Sequence, residues 1–133
     1  FSPHRFTMIP CTIDHLHLRS PDPRAAAAFY AEVFGATIKG EVMNGAALRM
    51  IVDLGGLTLF IEEVPATTPT PPTPPFVGYE HIGLTVKDIA AAMAEVKARG
   101  ITVVMDIKEL SPKLTIAFIE GPDKVRIELL QRS

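Results

Sequence analysis

DHLHLRSPDPRAAAAFYAEVFG, residues 14–35, has a second version in EHIGLTVKDIAAAMAEVKARG, residues 80–100. In each, an acidic residue precedes a histidine (Asp14-His15, Glu80-His81), and a leucine follows the histidine three places on (Leu18, Leu84). An aspartate follows seven places on (Asp22, Asp88), and a glycine closes the segment (Gly35, Gly100). The physical content is a strand that turns into a capped helix. Asp22 supplies an N-cap oxygen, and Pro23 sits at the first helical position, where its missing N–H costs nothing. Gly35 takes the left-handed position that ends a helix. A strand over 12–19 and a helix running to Phe34 are therefore predicted.

Working outward, residues 37–43, 46–54 and 57–63 read as three strands, joined at Asn44-Gly45, a hairpin signal, and at Gly55-Gly56. VPATTPTPPTPPFV, residues 64–77, holds six prolines and no charge, so it is predicted to be an extended linker. The pattern then restarts: a strand over 79–86, a helix over 89–99 capped by Asp88 and stopped by Gly100, and strands near 102–108, 114–120 and 125–131. The chain is a duplicated βαβββ unit of the α+β class. Its expected divisions are an N-terminal extension over 1–11 with Met8 as the candidate start, a first module over 12–63, the linker, and a second module over 78–133.

With 133 residues, 47% of them hydrophobic, the chain can bury a real core. A net charge of -2 with no cluster of Lys and Arg argues against a nucleic-acid surface. Cys11 stands alone, which removes both an internal disulfide and a cysteine-based zinc site and fits a cytoplasmic setting. No apolar run is long enough to span a membrane, and no membrane partner is expected.

Chemistry enters through the faces of the strands. His15, His17 and Arg19 alternate with Leu16 and Leu18, so all three leave one face of a strand. Leu57, Leu59 and Ile61 alternate with Thr58, Phe60 and Glu62. Ile127 and Leu129 flank Glu128, which turns that carboxylate away from the apolar packing face, the side to which Arg126 and Thr85 also belong by parity. A carboxylate directed inward needs a partner or a cation. His15 and His81, at repeat-related places, are the natural co-ligands. Two imidazoles and a carboxylate suit a divalent transition metal with open positions for water or substrate.

The three stretches IDHLHLRSPDPRAAAAFYAEVFG, GYEHIGLTVKDIAAAMAEVKARG and FIEGPDKVRIELLQR resemble, in order and spacing, the vicinal oxygen chelate superfamily: glyoxalase I, methylmalonyl-CoA epimerase, extradiol dioxygenases and the fosfomycin and bleomycin resistance proteins. The resemblance covers residues 12–131. It implies an eight-stranded, cleft-shaped mixed sheet with a metal (Zn, Ni, Co, Mn or Fe) on the concave face and a small-molecule substrate beside it. His15, His81 and Glu128 match ligand positions of that family. For the fourth, alternation puts Phe60 opposite Glu128, whereas a bulge or altered register would bring in Glu62 as ligand or catalytic base. Arg19 resembles a position that holds a substrate carboxylate in glyoxalase I, although it is equally suited to pair with Glu62. Arg49 and Lys113 are further candidates for an anionic substrate. His17 is read either as a proton-transfer group or as a hydrogen-bonding neighbour.

The implied activity is that of a lyase or isomerase acting on vicinal oxygens through metal-stabilised enolisation, with Glu128 or Glu62 moving the proton. An iron-dependent extradiol-type dioxygenase and a non-catalytic antibiotic-binding protein are the alternatives. A homodimer is expected, with the metal site built either within one chain or across two.

Overall fold

The computed structural model describes residues 7–133, so residues 1–6 of the expected extension lie outside the described residues. Strand β1 (His15–Ser20) leads into helix α1 (Pro23–Phe34), followed by β2 (Thr37–Asn44), β3 (Ala47–Leu54) and β4 (Leu57–Glu63). The order repeats with β5 (Ile82–Thr85), α2 (Ile89–Ala98), β6 (Val103–Ser111), β7 (Leu114–Glu120) and β8 (Arg126–Arg132). A short 3-10 turn, Pro122–Lys124, precedes β8.

The helix ends follow from the residues read above. Asp22 accepts from the Ala25 N–H and Asp88 from the Ala91 N–H, each at the N-terminus of its helix. Gly35, at φ 70°, closes α1: its N–H donates to the Ala31 carbonyl and the Ala36 N–H to the Tyr30 carbonyl. Both lead strands are shorter than the alternation suggests. β1 starts at His15 because its parallel partner β4 begins only one residue before Thr58, which faces His15. β5 starts at Ile82, leaving His81 just ahead of the ladder.

The eight strands form two four-stranded mixed sheets, ordered β1-β4-β3-β2 and β5-β8-β7-β6. The expected α+β fold of two βαβββ modules with eight strands is thus present, four strands to each module's sheet. In each, the lead strand runs parallel to the fourth and the remaining pairs are antiparallel. One side of each sheet is packed against the helices. Met50, Val52, Leu54, Leu59 and Ile61 cover the first and Ala117, Ile119, Ile127 and Leu129 the second, in a single core with Ala26, Ala27, Tyr30, Ile89, Met93 and Val96. Burying each large aliphatic side chain of this set contributes about 1.5–3 kcal/mol. Strand alternation then forces the intervening residues onto the opposite face, where the chemistry lies.

Candidate metal centre and cation cluster

On the first sheet that face carries His15, His17, Phe60, Arg49, Arg19 and Glu62. Cross-strand pairing places His17 opposite Phe60 and Arg19 opposite Glu62 on one side, and Arg49 opposite Glu62 on the other. Glu62 is only 6% exposed. A carboxylate so enclosed needs donors, and it has them. Oε1 accepts from Asn44 Nδ2 at 3.0 Å and from Arg49 Nε and NH2 at 2.9 and 2.6 Å, while Oε2 accepts from Arg19 NH1 at 3.2 Å. His17 Nε2 stands 3.9 Å from Oε1. The bonds from Asn44 and Arg49 hold the Glu62 carboxyl down at about 2. Burial lowers the His17 imidazole, and the Arg19 charge lowers it further.

Glu62 is thus the anchor of a cation cluster. Its register in both ladders runs without a shift, so no bulge carries it toward the Glu128-equivalent position. A carboxylate with both oxygens committed to donors, and so weakly basic, fits neither the fourth-ligand nor the catalytic-base role. With two guanidiniums around one carboxylate, the cluster keeps a net positive charge. Arg19, with more than half of its side chain exposed, offers its remaining N–H groups to solvent.

The two histidines of the repeat are held alike. His15 Nδ1 is 2.6 Å from Asp14 Oδ2, and His81 Nδ1 is 3.2 Å from Glu80 Oε1. A carboxylate on Nδ1 fixes the ring and leaves Nε2 with the lone pair, which is the form a metal takes. Both rings lie against a phenyl group: His15 on Phe60 with centroids 4.2 Å apart, and His81 edge-on to Phe118 at 5.1 Å. An arginine covers the same phenyl each time, Arg49 at 4.9 Å from the Phe60 centroid and Arg126 at 4.2 Å from that of Phe118. Arg126 also donates to Glu80 at 3.1 Å, securing the carboxylate that orients His81.

His81 Nε2 lies 3.2 Å from Glu128 Oε1. A neutral imidazole has one proton to offer two carboxylates, Glu80 at Nδ1 and Glu128 at Nε2, so one of the two contacts calls for a second proton or a cation. Two ligands of one ion, each bonded at about 2.1 Å in tetrahedral geometry, stand roughly 3.4 Å apart, so the pair has the spacing of half a metal site. The other half is elsewhere. Among the described residues no three His, Cys, Asp or Glu side chains of one chain gather closely enough to hold an ion. The cavity beside His81 is bordered from β1 by Leu16 and Leu18, whereas His15 and His17 leave the opposite face of that strand. The expected convergence of His15 with His81 and Glu128 does not occur within one chain.

Lys113 lies apart, exposed in the turn between β6 and β7, its N–H bonded to Ser111 Oγ. Asn44 was legible only as a hairpin residue, and Asp14 and Glu80 only as markers of the repeat. Their roles as donor to Glu62 and as orienting groups depend on cross-strand placement.

A duplicated βαβββ chain of two four-stranded mixed sheets, each module led by a strand and a capped helix, defines the class of fold. The chain belongs to the Glyoxalase/Bleomycin resistance protein/Dioxygenase superfamily, whose family description matches residues 12–129. The Escherichia coli (strain K12) protein YaeR is 24% identical over 123 residues, covering 90% of this chain and 95% of YaeR. Among solved structures, the trypanothione-dependent glyoxalase I of Leishmania major superposes with a TM-score of 0.72 at 20% identity, over 92% of this chain and 87% of that one. The fosfomycin resistance protein FosX of Listeria monocytogenes does so with a TM-score of 0.74 at 16% identity, over 94% and 96%. At these identities the structural likeness concerns the fold.

Proposed function

We propose that the chain is a metal-dependent lyase or isomerase of the glyoxalase/epimerase kind, acting on a small molecule with vicinal oxygens. The observation that carries this reading is the His81–Glu128 pair, 3.2 Å apart and oriented from behind by Glu80. His81 and Glu128 of one copy and His15 of a second hold the metal, since the two faces diverge within a single chain. The arrangement makes a homodimer the active form.

A divalent ion held by His81 and Glu128 of one copy and His15 of the second would supply Lewis acidity that favours loss of a proton beside a carbonyl. Glu128 accepts the proton from the carbon beside the carbonyl and returns it to the adjacent carbon. Glu80 and Asp14 keep the imidazoles in one tautomer and one orientation. Arg19 and Arg49 retain net positive charge after pairing with Glu62, and that charge holds an anionic group of the substrate. His17, kept neutral near pH 7 by its lowered pKa, serves as a hydrogen-bonding wall.

Elemental analysis of the purified protein, with and without His81→Ala, tests this. The expected result is stoichiometric metal in the parent, its loss in the variant, and metal-dependent exchange of solvent deuterium into 2-hydroxy ketones. Metal retained by His81→Ala, or no metal taken up on reconstitution, overturns the reading and leaves non-catalytic binding of a small molecule such as an antibiotic.

One observation favours a second reading. Phe60 stands at the place equivalent to Glu128, so the proposed set is two histidines and one carboxylate, a combination that suits iron and oxygen chemistry. Iron in the native protein together with oxygen-dependent cleavage of catechols distinguishes an extradiol-type dioxygenase from the enolising enzyme.

A further inference from the structure

Of the nine glycines in the chain, six hold a positive φ, which side-chain-bearing residues adopt reluctantly. Gly40 adjoins a register shift between β2 and β3, and a side chain on Gly121 would press on Ile127 Cδ1 at 2.9 Å. Gly83 has none of these reasons. It lies exposed inside β5, outside the positive-φ region, in a ladder without a register shift. A Cβ there would meet Leu130 Cδ1 at 3.2 Å and Glu128 Oε1 at 3.7 Å and, chain neighbours aside, nothing else within 4 Å. The first is the flexible end of a side chain that can turn aside, and the second is an ordinary contact, so the fold has room for a side chain. Glycine in a strand interior lowers stability, because it loses more freedom on folding and packs nothing. An unforced glycine in a strand marks a place where something else comes close to the backbone.

What comes close follows from the neighbours. Gly83 faces Glu128 across the β5–β8 ladder, and Phe118 faces Glu128 from β7 on the other side. His81, two residues before Gly83, sets its Nε2 3.2 Å from Glu128 Oε1 and its ring edge-on to Phe118. The carboxylate is therefore flanked by Phe118 and His81 and is reached over the bare backbone of Gly83. The first module shows the filled alternative, since His17 faces Phe60 at the same node of its ladder. Leu130, two residues after Glu128 on the same face of β8, borders the gap with an apolar tip, and no cation stands beside the Cβ position. Such a gap suits an apolar group rather than an ionic one.

We infer that Gly83 is the specificity-determining position of the site: its bare backbone and the Leu130 side chain seat an apolar substituent on the substrate carbon that gives its proton to Glu128. The inference rests on the proposed role of Glu128 and narrows the substrate to a secondary 2-hydroxy ketone or a close relative, whose carbinol carbon carries one hydrogen and one apolar group. In the step concerned the C–H bond breaks, the proton goes to the Glu128 carboxylate, and the electron pair moves toward the carbonyl oxygen. Return of a solvent deuteron labels the substrate and consumes nothing else.

Three probes share an acetyl group and differ only on the carbinol carbon. Hydroxyacetone carries no substituent there, 1-hydroxy-1-phenylpropan-2-one carries a phenyl group, and 3-hydroxy-3-methylbutan-2-one carries two methyl groups and no removable proton. In Gly83→Val, kcat/KM for deuterium exchange should fall about 10- to 200-fold further for the phenyl probe than for hydroxyacetone, the discrimination that apolar pockets give, with Gly83→Ala between. Adding the dimethyl probe to the protein as purified should shift the Gly83 amide resonance, and calorimetry should show Gly83→Val binding that probe about tenfold more weakly. Both variants should keep the parent's metal content, and Gly83→Ala should keep its unfolding midpoint or raise it, because the backbone does not require glycine. Equal losses for the two exchange probes, a Gly83 resonance indifferent to the dimethyl probe, or unchanged affinity for it in Gly83→Val overturns the inference. So does a lowered unfolding midpoint in Gly83→Ala, which would make the glycine structural, or a changed oligomeric state of Gly83→Val in sedimentation, which would assign the gap to a second copy. Absence of exchange in the parent, with binding of the dimethyl probe still weakened by Gly83→Val, upholds the seat and overturns the enolising reading instead.

Discussion

Phe60 and Glu128 occupy the same node of two copies of one ladder: Phe60 faces His17, two residues after His15, and Glu128 faces Gly83, two residues after His81. The duplication therefore presents a carboxylate in one module and a phenyl ring in the other. Under the proposed function, Phe60→Glu restores a fourth donor. Metal affinity, measured by competition with a chelator, should rise by about 10- to 100-fold, a range comparable to that commanded by supporting groups of metal sites. An unchanged affinity would show that Phe60 lies outside the coordination sphere.

The placement of His15 on the face of β1 opposite the cavity beside His81 makes complementation decisive. His15→Ala and His81→Ala should each fail to retain metal when alone. Mixed, unfolded and refolded together, they should regain about half of the wild-type sites in heterodimers, because a site shared between copies needs only one intact histidine from each. Metal that returns in no mixture would place the whole site within one chain.

How far the sequence could be read depended on whether a feature is local. Asp22, Pro23 and Gly35 announce α1 through groups that bond within a turn of themselves, and the alternation in 57–63 announces β4 for the same reason. The equivalence of Phe60 with Glu128 was readable too, since it is a matter of counting along two strands. What escaped were facts set by distant contacts. Glu62 has inward parity like any ligand, and only the arrival of Asn44 and Arg49 from the neighbouring hairpin shows that its oxygens are spoken for.

Glu62 should leave an acid-dependent signature in stability. Its carboxyl is lowered from 4.5 to about 2 by the donors around it, so the folded state holds it ionised where the unfolded chain would protonate. The stability it contributes is fully present above about 4.5 and is lost as pH falls through the interval down to about 2. Denaturant unfolding of the parent and Glu62→Gln should show the parent more stable at pH 6, with the difference shrinking across that interval. A difference that stays constant with pH would mean that the cluster acts through shape rather than charge.

His17 offers the complementary test from the basic side. Its imidazole lies below its ordinary 6.5, chiefly through burial and next through Arg19, with Arg49 and His15 acting in the same direction and Glu62 opposing them. A base whose pKa falls on folding binds fewer protons in the native state, so the native state loses stability as pH drops through 6.5. The Hε1 resonance of His17 should titrate below 6.5, Arg19→Met should move the midpoint up, and Glu62→Gln should move it further down. Because Arg19 is largely exposed, added salt should reproduce part of the Arg19→Met effect by screening. A midpoint at or above 6.5, or one indifferent to Arg19→Met, would show that the guanidinium does not act on His17 and that the positive face proposed for substrate holding is not assembled as described.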